Sequence, residues 1–346
     1  MALKSEASEP NAPESEVPPN ATALALDIGG TKLAAGIVTG AGELLVSRRT
    51  PTADATDGEE LFGRLCDLAE DVVEEWRDFQ QSKKGKKRSE EADWLEEKSN
   101  TESGNSQVSP IVIGVGCGGP MRDGNRLVSP LNIAVWRDFP LGERLSQRFS
   151  LPVAVENDAK ALALGEGWRG AAQGVANYIA MVVSTGIGGG IVLEGRLLHG
   201  ADNNAGHIGH VFVEPDGRAD AAGARGNLEG QASGLAIAEI TGHPPADASD
   251  EVRRQVGEYV GRAVASVANL LDLQLALVSG SVALGYGEIF FKSAQETIDK
   301  LCKIDFSRGT RIIPGGLGED GPLIGAAAVG FQELGYSVLL TSQEGF

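Results

Sequence analysis

Two glycine-rich turns, one in each half of the chain, narrow the folds open to it more than anything else in the sequence. The first is ALALDIGGTK at residues 23–32, and the second is MVVSTGIGGG at residues 181–190. Each follows a short apolar strand. A residue without a side chain lets successive backbone N–H groups approach and cradle phosphate oxygens. Thr31 and Thr185 add a hydroxyl to each turn, and Lys32 adds a cation beside the first. One such turn often serves only a hairpin. Two on the same plan suggest a duplicated fold that grips a phosphate chain from both sides.

The segments around the turns repeat as well. Three short strands, Ala23–Ile28, Leu33–Thr39 and Glu43–Thr50, are punctuated by glycine and read as an antiparallel meander. Leu61, Phe62, Leu65, Leu68, Val72, Val73, Trp76 and Phe79 follow at helical spacing, so Glu59–Phe79 reads as an amphipathic helix. Pro110–Cys117 is a buried strand. The second half gives another meander at Tyr178–Ser184, Gly190–Leu193 and Arg196–His199. Helices follow at Glu251–Leu271, Glu288–Leu301 and Gly321–Leu334, with strands at Leu273–Ser279 and Thr310–Ile313. The expected architecture is two related α/β domains facing each other across a cleft, with ligands at the carboxyl ends of the strands.

The expected domain division starts with a disordered acidic tail at 1–22. An N-terminal α/β domain follows at 23–131, completed by the C-terminal helix near 321–335, and a larger C-terminal α/β domain covers 132–320. Residues 80–109 read as a mobile surface insertion. They open with Lys83, Lys84, Lys86, Lys87 and Arg88, and then turn acidic at Glu90, Glu91, Asp93, Glu96 and Glu97. A chain of 346 residues with 47 glycines and 42% hydrophobic residues fits a turn-rich globular α/β protein.

Composition also excludes functions. The net charge of −18 argues against a nucleic-acid binder, because phosphate backbones demand a basic face. No apolar run approaches the roughly 20 residues that span a bilayer. The first twenty residues lack the pattern of a signal peptide, so the expected location is cytoplasmic. Cys66, Cys117 and Cys302 are widely spaced, suit free thiols and offer no zinc framework. A dinucleotide fingerprint is absent too, since no G-x-G-x-x-G opens a helix after a strand.

Within this frame a few residues can carry chemistry. Asp27 ends the first strand and reads either as a turn-forming residue or as the holder of a water on Mg²⁺, an ion that keeps most of its waters. Asp158 lies where a strand gives way to the helix Ala159–Arg169. It reads either as a helix cap or as a base accepting the proton of an attacking hydroxyl. Asn157 beside it can donate and accept, which suits a sugar. His207 and His210 stand among glycines and suit donation to sugar hydroxyls better than metal binding. Glu229 sits among small residues, where it can hold neighbouring hydroxyls or cap a helix. His199 and His243 read as structural or exposed.

Five motifs in order resemble one family. They are DIGGTK at 27–32, ENDAKALALGE at 156–166, STGIGGGIV at 184–192, GHIGH at 206–210 and GNLEGQASG at 226–234. The chain resembles the ROK family of bacterial sugar kinases, repressors and related open reading frames, in the actin-like ATPase superfamily, over roughly 23–335. That likeness implies two actin-like, ribonuclease H-like domains and an ATP- and Mg²⁺-dependent kinase acting on a hexose 6-hydroxyl. Glucose is the favoured acceptor, with N-acetylmannosamine or another N-acetylhexosamine as the alternative. It also implies a homodimer.

By the same likeness Asp158 is the catalytic base, and Gly29, Gly30, Thr31, Lys32, Thr185 and Gly186 bind the phosphates of ATP. Gly280 and Ser281 lie near the adenosine. Gly119, Asn132, Asn157, Asp158, His207, His210 and Glu229 face the sugar, and Gly325 marks the second interdomain connection. Two departures stand out. His207 occupies a position where the family usually has Glu. The family's zinc cysteines are replaced by Asp220, Ala222 and Asn227, so no structural zinc is expected and hydrogen bonds must hold that loop. A reading of another class is a catalytically weak sugar-sensing regulator. Family regulators carry a winged helix-turn-helix ahead of the kinase-like part, and only 22 residues precede Ala23.

Overall fold

Each half of the chain builds a five-stranded sheet on a shared plan in the computed structural model, which describes residues 15–52, 55–91, 109–220 and 223–339. The first half gives β1 (Ser15–Glu16), β2 (Thr22–Ile28), β3 (Lys32–Thr39), β4 (Leu44–Pro51), α1 (Gly58–Glu91), β5 (Val112–Cys117) and β6 (Met121–Arg122). It continues with β7 (Leu127–Val128), α2 (Leu141–Phe149), β8 (Val153–Asn157) and α3 (Asp158–Arg169). The second half gives β9 (Tyr178–Val183), β10 (Ile187–Leu193), β11 (Arg196–Leu197), α4 (Leu228–Ala232), α5 (Gly234–Thr241) and α6 (Asp250–Leu271). It ends with β12 (Leu275–Ser279), α7 (Ser281–Leu301), β13 (Arg311–Pro314), α8 (Gly321–Glu333) and β14 (Tyr336–Ser337).

The sheet orders are β4-β3-β2-β5-β8 and β11-β10-β9-β12-β13. In both, an antiparallel meander of three strands is extended by two parallel strands. The repeated α/β plan expected from the two glycine turns is the one observed.

Residue alternation sets the layers, since successive side chains of a strand point to opposite faces. Leu24, Leu26 and Ile28 of β2 join Leu61, Leu65 and Val72 of α1 in one core. Ile179, Met181 and Val183 of β9 join Val260, Val264 and Phe290 in another. Ala23, Ala25, Tyr178 and Ala180 meet α3 and α8 in a third core shared by both sheets. The stack therefore runs from α1, through the first sheet, the α3–α8 pair and the second sheet, to α6 and α7. Asp27 has the phase of Ala23 and Ala25 and so looks toward the shared layer.

That layer is lined by small residues because backbone comes close to backbone. A Cβ on Gly114 would sit 1.8 Å from the Ala326 carbonyl oxygen, and one on Gly325 would sit 2.4 Å from that of Ala161. Gly325 thus marks the crossing of α8 with α3. The connection between the halves lies just before it, at residues 315–320. Glu166 of α3, wholly buried, accepts hydrogen bonds from the N–H groups of Ala171 (2.8 Å), Gly316 (2.9 Å) and Leu317 (3.2 Å), which ties this connection to α3.

Several boundaries differ from the sequence expectation. Residues 15–22 are ordered: β1 pairs in parallel with β14, and Val17 is buried, while 1–14 lie outside the described residues. The helix expected to stop at Phe79 continues to Glu91, because the Lys- and Glu-rich segment after it is itself helix-forming. The rest of the expected insertion, 92–108, lies outside the described residues. β8 is the edge strand of the first sheet, so that sheet extends to Asn157 and a boundary at 131 cuts through its domain. Helix α7 begins at Ser281 and breaks at Gly287 (φ 55°), which is where the hydrophobic spacing of 288–301 starts. The three cysteines are buried free thiols.

Candidate active site

The first glycine turn closes by a hydrogen bond from the Gly29 N–H to the Lys32 carbonyl (3.0 Å). Thr52, buried at the end of β4, clamps it from outside. Its hydroxyl donates to the Gly29 carbonyl (2.7 Å) and its N–H to the Thr31 carbonyl (3.0 Å). Thr31 and Lys32 remain exposed. A Cβ on Gly30 would lie 2.4 Å from the Asn132 Cβ, so this glycine is what lets Asn132 approach the turn.

The second turn is shorter than its glycine content suggests. Val183 pairs with Ile187, and Ser184, Thr185 and Gly186 form the whole connection. Gly188, Gly189 and Gly190 belong to β10. Their glycines serve packing, since Cβ atoms on Gly188 and Gly190 would lie 3.0 Å and 2.7 Å from the Cβ atoms of Ala159 and Ala163 in α3. Thr185 is exposed, and Ser184 Oγ lies 3.0 Å from Ser281 Oγ, which places the Gly280–Ser281 turn beside this loop. Gly280 has φ 101°, and a Cβ there would lie 2.4 Å from the Val183 carbonyl oxygen.

The amino end of α3 lies between the two turns. Asn157, not Asp158, supplies the cap: its Oδ1 accepts from the N–H groups of Ala159 (3.1 Å) and Lys160 (3.3 Å). Asp158 Oδ1 accepts from the adjacent Ala159 N–H (2.8 Å). The Asp158 Cα and Asp27 Oδ1 both approach Gly116 of β5, at 3.6 Å and 3.8 Å from where its Cβ would be. Burial first, and then the Asp158 charge, push the Asp27 carboxyl up to about 7, against the pull of Lys32 and Arg49. Burial also raises Asp158, opposed by its backbone hydrogen bonds.

Two of the residues expected at a sugar, Asn157 and His207, approach Gly119. Its Cβ position is 3.4 Å from Asn157 Nδ2 and 3.9 Å from His207 Nε2. Desolvation, with His210 and Lys160 nearby, holds the His207 imidazole below its ordinary range. Glu229 reaches between two loops. Its Oε1 lies 3.1 Å from a Cβ placed on Gly186, and its Oε2 lies 3.2 Å from one on Gly209. Burial raises its carboxyl, opposed by His210.

The loop without cysteines is held by polar contacts. His210 Nδ1 lies 3.3 Å from Asp220 Oδ2 and 3.2 Å from Asn227 Nδ2, and Asn227 also donates to Asp220. Asn227 Oδ1 caps α4 through the Gly230 N–H (3.0 Å). Two of the substituted positions thus bind each other and His210, while position 222 lies outside the described residues. Among the described residues no three His, Cys, Asp or Glu side chains group as metal ligands. A separate cavity of about 640 Å³ on the far side of β8, lined by Asn125, Val155, His199 and Asn203 among others, contains none of the glycine-turn residues.

Sequence reasoning named both turns, Asp27, Asn157 and Asp158, and the structure brings them together. It missed Thr52 and Ser184, whose partners lie on other strands or turns. It also missed Lys160 and Glu156, whose local signal was a charged pair four residues apart inside the motif at 156–166.

Comparison with known proteins gives concordant results. The ROK family model matches residues 98–333. The chain is 31% identical over 336 residues to a glucokinase of Halalkalibacterium halodurans, covering 87% of this chain and 92% of that one. It is 31% identical over 285 residues to an N-acetylmannosamine kinase of Escherichia fergusonii, covering 77% and 85%. Among solved structures it resembles a ROK family glucokinase from Streptomyces griseus in complex with glucose and AMPPNP, with TM-score 0.71 and 26% identity over 90% of this chain and 99% of that one.

Proposed function

The chain belongs to the ROK family, and on that footing we propose that it is an ATP-dependent sugar kinase that phosphorylates a hexose 6-hydroxyl, with glucose the favoured acceptor. The observation that supports this best is the placing of Asp158. It has one carboxylate oxygen bound by its own helix, it shares the neighbourhood of Gly116 with Asp27 of the first turn, and its neighbour Asn157 faces Gly119. In this reading Gly29, Gly30, Thr31 and Lys32 hold the phosphates of ATP from one side, and Thr185 and Gly186 from the other. Gly280 and Ser281 border the adenosine. Asp158 accepts the proton of the attacking hydroxyl, while Gly119, Asn132, Asn157, His207, His210 and Glu229 orient the sugar.

Asp27 fits a hydrated magnesium ion. Mg²⁺ keeps most of its waters and takes one or two carboxylates with the substrate's phosphates, and a single buried carboxylate between Lys32 and Asp158 meets that need. When bound, the ion neutralises charge on the phosphates. Glucose is favoured because the H. halodurans and S. griseus relatives are glucokinases. The equally identical N-acetylmannosamine kinase makes N-acetylhexosamines the second acceptor class. We infer a homodimer acting in the cytoplasm; among the described residues no helix is long and apolar enough to cross a membrane.

With ATP, Mg²⁺ and a panel of glucose, mannose, fructose, N-acetylglucosamine and N-acetylmannosamine, ADP release should be fastest with glucose. Silence across the panel overturns the assignment. Replacing Asp158 with Asn should lower kcat by about 10²- to 10⁴-fold while sugar binding persists. Retained turnover removes Asp158 as the base.

A further inference from the structure

Lys160 and Glu156 form a buried ion pair that the phosphate clamp does not use. Their side chains are 1% and 7% exposed, with Lys160 Nζ 3.1 Å from Glu156 Oε1. Nζ also donates to the Asn203 carbonyl (2.9 Å) and lies 3.5 Å from His199 Nδ1. Of the three protons of the ammonium, one goes to the Asn203 carbonyl, and Glu156 Oε1 and, in the tautomer with Nδ1 unprotonated, His199 Nδ1 stand within reach of the others. Burying two charges costs several kcal/mol that only full satisfaction offsets, and an apolar pair of the same volume is often no less stable. Packing alone therefore does not call for this pair, and what it connects does.

Glu156 Oε1 accepts from the Asn157 N–H (2.8 Å), which fixes the residue that caps α3 and faces Gly119. The Asn203 carbonyl belongs to the loop leading to His207. That loop has positive φ at Gly200 (77°), Asn203 (59°) and Gly206 (104°), so its path rests on anchors more than on local preference. The next residue, Asn204, grips Met121 twice: its Oδ1 accepts from the Met121 N–H (3.2 Å), and its Nδ2 donates to the Met121 carbonyl (3.0 Å). Met121 directly follows Gly118-Gly119-Pro120. One continuous network thus joins the Asn157–Asp158 turn, the loop carrying His207 and the loop carrying Gly119.

We propose that Lys160 and Glu156, with Asn204, are positioning residues that hold these three sugar-side segments in register. The proposal rests on the sugar-kinase reading for its functional consequence, and on the hydrogen bonds alone for its structural one. None of the three residues needs to touch the sugar.

The test compares wild type with Lys160→Met, the double variant Glu156→Gln/Lys160→Met, and Asn204→Ala. Sugar KM should rise about tenfold or more in each, with the KM for ATP held within about twofold. A parallel rise in both constants, or no rise in either, overturns the proposal. Hydrogen–deuterium exchange of the unliganded protein needs no turnover. In the variants it should quicken at 118–122 and 199–207 together, and unchanged exchange there overturns the network even if wild type phosphorylates no sugar. Absence of wild-type turnover by itself overturns only the kinase reading. If the Lys160 variants fail to fold, Asn204→Ala, which alters a half-exposed side chain, carries both readouts.

Discussion

Asp27 and Asp158 are two carboxylates brought close to one glycine, and their protonation links stability to turnover. Asp27 titrates at about 7, against an ordinary value of 3.8. Between those values the folded protein keeps a proton that the unfolded chain has lost, so this group's contribution to stability falls as pH rises and is gone above about 7. Thermal melts should show wild type losing stability between pH 5 and about 7 more steeply than Asp27→Asn, whose amide does not titrate. Equal slopes would remove Asp27 as the source. Turnover moves the opposite way. In the proposed mechanism both carboxylates act charged, so kcat/KM, which reports the free enzyme, should fall below about pH 7 as a property of the pair. The sequence exposed these two residues because each stands at the end of a short strand, Asp27 within it and Asp158 just past it, inside a recognisable motif. It could not tell which of Asn157 and Asp158 caps α3, since both are good caps at adjacent positions.

At the scale of elements, the second glycine turn and the loop without cysteines carry the main lessons. A run of glycine after a strand was legible as a turn. That the strand expected to begin at Gly190 already begins at Ile187, with Gly188 and Gly190 pressed against α3, depends on a helix distant in sequence. The loop at 220–229 was located by its missing cysteines, but the Asp220–Asn227–His210 contacts that replace them become visible only in three dimensions. This loop should not depend on metal. Dialysis against a chelator should leave the melting temperature where it was. Asn227→Ala, which removes a helix cap and two side-chain contacts, should cost about 1–2 kcal/mol in denaturant unfolding and raise the KM for sugar. A chelator-induced drop in melting temperature would reinstate zinc.

At the scale of the whole molecule, two sheets share one middle layer made of α3 and α8. The duplicated plan was legible from repeated strand and turn patterns. The division at residue 131 was not, because β8 reads alone as one more short apolar strand and only pairing with β5 assigns it to the first sheet. The closeness of the helix crossing yields a direct expectation. Gly325→Ala puts a methyl 2.4 Å from the Ala161 carbonyl oxygen and should destabilise by about 1–3 kcal/mol, where the same change on an open helix face would stabilise. Denaturant titration gives the sign.

The buried Glu166 carboxylate has a mechanical meaning. It grips N–H groups of Ala171, Gly316 and Leu317 at a single point. If α3 turns relative to α8 while those bonds hold, that point stays still and the rest of α3 becomes a lever arm. Asp158 sits eight residues away, about 12 Å along the helix axis, so a turn of about 10° carries it about 2 Å. In the proposed chemistry a misplacement of about 1 Å can cost on the order of 10²-fold in rate, so an acid far from Asp158 bears on where its carboxylate comes to rest.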